Sequence, residues 1–296
     1  MFQIISDSSC DFSFEEAKQL DVHVMPIFVT LDGETYLKEG IDIKKEDYFK
    51  RLKEDKNLFP KTAQLNPQDF IEVFKPYLEA GKDIICLPIS SKLSGTYSSA
   101  VMAADMLKED FPERTIIAVD SLSVCVGQGL LLRELARMRD AGLSITKAAE
   151  MIEKVKATTK IYFTLESLEY LRRGGRVGPT TALVGGILGL RPVLHFVDGA
   201  IEQLDSVRGK EKVLHMIAEG VVSVLKGETD NVEICIGHIM CEDEASLIKS
   251  EIEKALNIEI KNPIAEIGIS VGTHSGPGTI VVSYCRKYET LENGGK

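Results

Sequence analysis

The first half of the chain alternates short apolar runs that end in polar turns with longer stretches of helical spacing. Phe2-Gln3-Ile4-Ile5 reads as a strand that empties into Ser6-Asp7-Ser8-Ser9-Cys10-Asp11, and Ser13 with Glu16 makes a capping box for a helix through Leu20. Residues 22–31 read as a second strand before the hairpin signal Asp32-Gly33, and a charged helix follows over about 44–55. After a loop over 59–65, Asn66 serves as N-cap and Pro67 as first residue of a helix that stops near Gly81. Apolar runs at 83–87 and 115–119 predict two more strands. The first enters the hydroxyl-rich loop 88–99 and a helix to 107, and the second enters Asp120-Ser121-Leu122-Ser123. Helices over 124–139 and 144–158 complete a unit, residues 1–158, whose strand-helix alternation predicts a mostly parallel sheet with helices on both faces.

From residue 159 the pattern changes. A strand at 161–164 and a short helix at 165–171 lead into the basic, glycine-rich break Arg172-Arg173-Gly174-Gly175-Arg176-Val177-Gly178-Pro179. Residues 180–190 are apolar almost all round, as a core segment or the lining of an apolar ligand site would be. A hairpin turns at Asp198-Gly199 between strands at 192–197 and 200–207, followed by a helix at 209–225, a strand at 232–239 and a helix at 242–256. A strand at 264–270, a glycine-rich loop at 271–278 and a last strand at 279–285 complete a second α/β domain, residues 159–296, with a mixed sheet.

A chain of 296 residues with 44% hydrophobic and 27% charged content is a globular protein with room for two domains. Its net charge of −10 disfavours nucleic acid and anionic membrane surfaces, so an anionic ligand must be held by local donors. The six cysteines fall into no C-x-x-C or zinc-finger spacing, and buried reduced thiols in a cytoplasmic protein are the simplest account. The N-terminus lacks the features of a signal peptide, and the most apolar segment is far shorter than the ~20 residues of a membrane span. No phosphate loop, dinucleotide fingerprint, H-E-x-x-H or G-x-S-x-G motif is present, which argues against nucleotide, metal and ordinary hydrolase chemistry.

Ligands of parallel α/β sheets gather at the carboxyl ends of strands, where Asp7-Ser8-Ser9, Ser90 to Thr96 and Asp120 to Ser123 all fall. In Ser94-Gly95-Thr96 two hydroxyls and a glycine stand at a helix start, an outline for an anion site that an ordinary helix cap shares. His274 lies among glycines where a backbone can approach a ligand, and Arg172, Arg173 and Arg176 can steer a carboxylate or simply form a solvated basic loop. Ser94 as nucleophile, His274 as base and Asp7 as orienting acid give an alternative reading as an esterase or acyltransferase. Cys10 precedes a helix, but no histidine is near it in sequence to activate it.

Five segments, in order, resemble the DegV family, bacterial fatty-acid-binding proteins that work with a fatty acid kinase. They are Ile5 to Ser9, Ile89 to Tyr97, Asp120-Ser121 with Gly127-Gln128-Gly129, Leu168 to Arg176, and Gly272 to Gly278. Ala63 and Leu65 depart from the family's usual residues, although Thr62 is retained. The resemblance implies a two-domain α/β protein that holds one long-chain fatty acid, such as palmitate or oleate, between its domains. It implies a ligand set of Thr62, Ser94, Gly95, Thr96, Ser121, Arg173 and His274, with no metal or cofactor. The implied partner is a fatty acid kinase that makes the acyl phosphate, so this chain is a carrier rather than an enzyme. No membrane span or nucleic acid is expected, and transient membrane contact is compatible with the role.

Overall fold

The computed structural model describes residues 1–55, 58, 60–176 and 190–292. Four parallel strands, β1 (Phe2–Asp7), β2 (Val22–Met25), β6 (Asp83–Cys86) and β7 (Ile116–Ala118), form one sheet in the order β2-β1-β6-β7. Successive side chains point to opposite faces of a strand, and the apolar residues divide accordingly. Ile5, Ile84 and Cys86 pack on α3 (Pro67–Glu79) and α4 (Thr96–Leu107). Ile4 and Ile85 pack on α5 (Cys125–Asp140) and α6 (Ile145–Thr158).

A second, mixed sheet of six strands has the order β10-β9-β8-β13-β11-β12. Its strands are β8 (Lys160–Thr164), β9 (Leu190–Val197), β10 (Ala200–Arg208), β11 (Val232–His238), β12 (Ala265–Glu266) and β13 (Ile280–Arg286). Ile161, Phe163, Val281 and Cys285 face α5 and α6 in the same core as the first sheet. Tyr162, Ile234, Val282 and Tyr284 face α8 (Lys210–Leu225) and α9 (Glu242–Leu256). The pair α5–α6 is therefore a layer shared by both sheets: ten residues of α5 from Cys125 to Leu135 are buried, Glu134 and Gln128 among them, whereas α6 buries one face, Ala148, Met151, Ile152 and Val155.

Three local differences from the sequence pattern place the site. The run at 22–31 is two strands, because Pro26 has no N–H to donate and the chain leaves the parallel sheet there. Its second piece, β3 (Phe28–Thr30), pairs antiparallel with β4 (Leu37–Lys38) and with β5 (Lys61–Ala63), which lies inside the predicted loop at 59–65. The predicted strand at 264–270 is reduced to β12, and the predicted glycine-rich loop is largely a helix, α10 (Ile269–Ser275). Local sequence missed that helix because its first N–H groups are met from far away: Gly268 N donates to Asp11 Oδ1 at 2.8 Å, and Ile269 N and Ser270 N donate to Glu39 Oε1. The apolar segment read at 180–190 lies outside the described residues except for Leu190, where β9 begins.

A buried polar network ties the end of β1 to the shared helical layer. Asp7 accepts from Ile89 N at 2.8 Å and from Ser9, and Ser9 Oγ also reaches Gln128 Oε1 at 2.9 Å. Gln128 Nε2 donates to Ser6 Oγ at 3.0 Å, which donates to Leu87 O at 2.6 Å. Gln128→Ala leaves buried hydroxyls short of partners, and urea denaturation is expected to show a loss of about 1–3 kcal/mol; unchanged stability contradicts this network's role.

Candidate functional site

A cavity of about 390 Å³ opens where the two halves meet, within the range of roughly 300–1,000 Å³ typical of small-molecule sites. Its apolar wall comes from alternate residues of the second sheet, Ile161, Phe163, Phe196, Ile201 and Val281, facing Ile89, Leu93 and Val124 from the loops of the first. Strand alternation supplies this wall: the residues that turn toward the shared layer continue past it into the open space.

The cavity's polar residues include Thr62 on β5, Ser94 after β6, His274 on α10 and Arg176 beyond α7 (Glu169–Gly174). Thr62 Oγ1 and His274 Nε2 are 2.9 Å apart. Ser94 Oγ lies 2.8 Å from Thr96 Oγ1 and accepts from Thr96 N at 3.3 Å. Burial, with a smaller push from the Arg176 guanidinium, lowers the His274 pKa to about 4, so near neutrality the ring is an uncharged hydrogen-bonding group. Among the described residues its Nδ1 is buried without a partner. The ring fits because position 174 is glycine: a Cβ there would stand 2.1 Å from Nδ1. Arg176 is half-buried and anchored, with Nε donating to Leu93 O at 3.2 Å and Nη1 to Gly174 O. Its cation therefore borders the cavity, and no salt bridge to it occurs among the described residues.

Of the residues expected from sequence, Thr62, Ser94 and His274 line the cavity. Gly95 and Thr96 stand behind Ser94: Gly95 N donates to Gln64 Oε1 at 3.0 Å, and Thr96 is fully buried. Ser121 is buried in its own turn, donating to Ser123 O at 3.1 Å, away from the cavity lining. Arg173 lies on α7, bonded to Glu169 one turn back, and faces a separate cleft with Tyr170 and Leu52. The arginine that reaches the cavity is Arg176, because Gly175 in the left-handed region (φ 69°) ends α7 and turns the chain back. The Glu169-x-x-x-Arg173 spacing was the signal that Arg173 belongs to a surface helix pair. Gln64, which lines the mouth and holds Gly95 N, was missed altogether.

The residues of the alternative hydrolase reading are not joined. Asp7 is engaged by Ser9 and Ile89, His274 Nε2 faces Thr62, and Ser94 Oγ faces Thr96. Cys10 is buried, and burial pushes its thiol well above the usual range, as it does for Cys125 in the cavity wall. All six cysteines are free and buried. No described helix is long and apolar enough to cross a membrane.

A family model described as an uncharacterised protein of the DegV family matches residues 1–287. A DegV domain-containing protein of Clostridium perfringens is 35% identical over 287 residues, covering 97% of this chain and 99% of that one. A fatty acid (stearic acid)-binding protein from Eubacterium ventriosum is 34% identical with a TM-score of 0.93, covering 98% of this chain and 100% of that one. A DegV family protein from Thermus thermophilus, solved for its fatty acid binding, is 27% identical with a TM-score of 0.87, covering 96% and 99%.

The depressed pKa of His274 has a measurable sign. Between about pH 4 and the ordinary value of 6.5 the unfolded chain carries a proton that the folded ring refuses, so this group's contribution to stability is lost as pH falls through that window. Asp11, raised by burial to about 8, acts in the opposite sense, so the comparison must be with a variant. The stability of the wild type relative to His274→Gln is expected to fall by on the order of 3 kcal/mol from pH 7 to pH 4. A pH-independent difference in denaturation midpoints contradicts a buried neutral ring.

Proposed function

This chain belongs to the DegV family, and we propose that it binds one long-chain fatty acid between its domains, residues 1–158 and 159–296, and presents the carboxylate to a fatty acid kinase. The observation that carries the reading is one cavity with an extended apolar wall and, among its lining residues, Thr62, Ser94, His274 and the cation of Arg176. The wall suits an alkyl chain: at about 0.8 kcal/mol per methylene, roughly 14 methylenes contribute on the order of 10 kcal/mol of gross transfer free energy. The polar side chains suit a carboxylate, which is penalised in such a space unless donors meet it. Two solved relatives named for stearic acid binding and fatty acid binding support the same ligand class.

The carrier role is supported by the exposure of these polar residues. Thr62, Ser94 and Arg176 are half-buried rather than enclosed, so a second protein can reach a carboxylate held there. No nucleotide motif stands in the sequence and no catalytic relay joins Asp7, His274 and Ser94, which leaves phosphoryl transfer to the partner. Arg208, at the end of β10, is exposed and available to a docking surface.

Mass spectrometry of lipid extracted from the purified protein, before and after incubation with hexadecanoate, is expected to find one fatty acid per chain; none after incubation ends this reading. Thr62→Ala with Ser94→Ala is expected to weaken acyl phosphate formation by added kinase and ATP about tenfold or more, and tail binding by only a few-fold. Equal loss of both contradicts the division of labour between head and tail.

A further inference from the structure

We propose that Glu39 is the positioning residue of the head-group site: its carboxylate, 230 residues from the helix it holds, sets where His274 meets Thr62. The inference rests on the head-group role proposed above for those two residues. Thr62 and Glu39 share one small sheet. β5 presents Thr62 opposite Val29 of β3, β3 pairs with β4, and Glu39 follows β4 directly, its own N–H bonded to Ile27 O at 3.1 Å.

From that fixed place Glu39 Oε1 accepts from Ile269 N and Ser270 N, the first two residues of α10. Its other oxygen accepts from Ser8 Oγ at 2.6 Å, and Ser8 Oγ in turn accepts from Ile27 N at 3.0 Å. The carboxyl group is thus clamped on both oxygens, and these hydrogen bonds offset part of the cost of a burial that raises its pKa above the usual carboxylate range. Gly268 lets it approach, since a Cβ there would stand 2.3 Å from Oε1. Four residues after Ser270, about one turn, comes His274. The helix has two other side-chain anchors, Asp11 Oδ1 on Gly268 N at 2.8 Å and Tyr48 Oη against Thr273 Oγ1 at 2.6 Å, but of the three only Glu39 is joined to the small sheet that carries Thr62. One sheet therefore fixes both ends of the 2.9 Å contact between Thr62 and His274: one directly, the other through a carboxylate at the start of the helix.

The test uses the full-length, delipidated protein. Histidine-labelled NMR of the ligand-free chain reads the His274 Nε2 signal, with the displacement caused by Thr62→Ala as the scale, and titrations compare hexadecanoate with hexadecanol, which lacks the charged head. Glu39→Ala is expected to displace the Nε2 signal by a large part of that scale and to weaken hexadecanoate about tenfold while hexadecanol changes less than about twofold. Glu39→Gln keeps an oxygen for Ile269 and Ser270 and is expected to restore both readouts nearly to wild type. If Glu39→Ala does not fold, Ser8→Ala, which removes the donor to the other oxygen together with the acceptor of Ile27 N, is expected to give the same displacement in smaller measure. An unmoved His274 signal, or equal weakening of acid and alcohol, overturns the proposal. Wild-type protein that binds neither ligand overturns the fatty-acid reading instead, and the ring signal still decides Glu39.

Discussion

The hydrogen-bonding contact between Thr62 and His274 is the point on which the arrangement turns. An apolar cavity admits a carboxylate only where donors replace the water it loses. On the proposed reading those donors come from residues 62, 94 and 274, with the cation of Arg176 at the border, and none lies near another in sequence except through the fold. Burial keeps the imidazole neutral, so the site presents dipoles and one cation rather than a cluster of positive charge. That suits a chain with a net charge of −10, whose long-range field repels an anion and leaves the binding of one to short-range contacts.

The cavity persists because the layers around it have other obligations. α5 and α6 are packed between two sheets and cannot shift toward one without opening a gap against the other. The loops that rim the site are tied down at their bases: Asp7 holds Ile89 N, Asp120 holds Ser91 N at 3.0 Å, and Ser90 Oγ crosses to Gly199 O of the β9–β10 turn at 2.7 Å. The last contact joins the two halves beside the cavity, so the hydroxyl-rich loop is braced by the second sheet as well as by the first.

What could be read from the chain beforehand follows from how local each signal is. Asn66 with Pro67, Ser144 and the Asp198-Gly199 turn act within a few residues, and those elements stand where the pattern put them. The hydroxyl loop was legible for the same reason, a strand end followed by a helix start, although α4 begins at Thr96 and not after residue 99. α10 was not legible, because its capping groups are Asp11 and Glu39, more than two hundred residues away. Choosing Arg176 over Arg173 required knowing that α7 ends at Gly174, and a helix of six residues carries too little periodicity to announce its end. Gln64 was hidden because a single amide in a short edge strand's exit has no pattern at all.

On the proposed reading, tail and head differ in how hard they are to give up. Exposing the alkyl chain again costs on the order of 10 kcal/mol, whereas each hydrogen bond at the head contributes about 1–3 kcal/mol net. A partner that offers its own donors to the carboxylate can therefore exchange head contacts one for one while the chain stays in the cavity, and the acid remains bound throughout. Enclosing the head completely would raise affinity but remove that exchange. Leaving the polar residues half-buried at the junction of the halves, with the apolar wall enclosed behind them, keeps an insoluble ligand bound and its reactive end within reach.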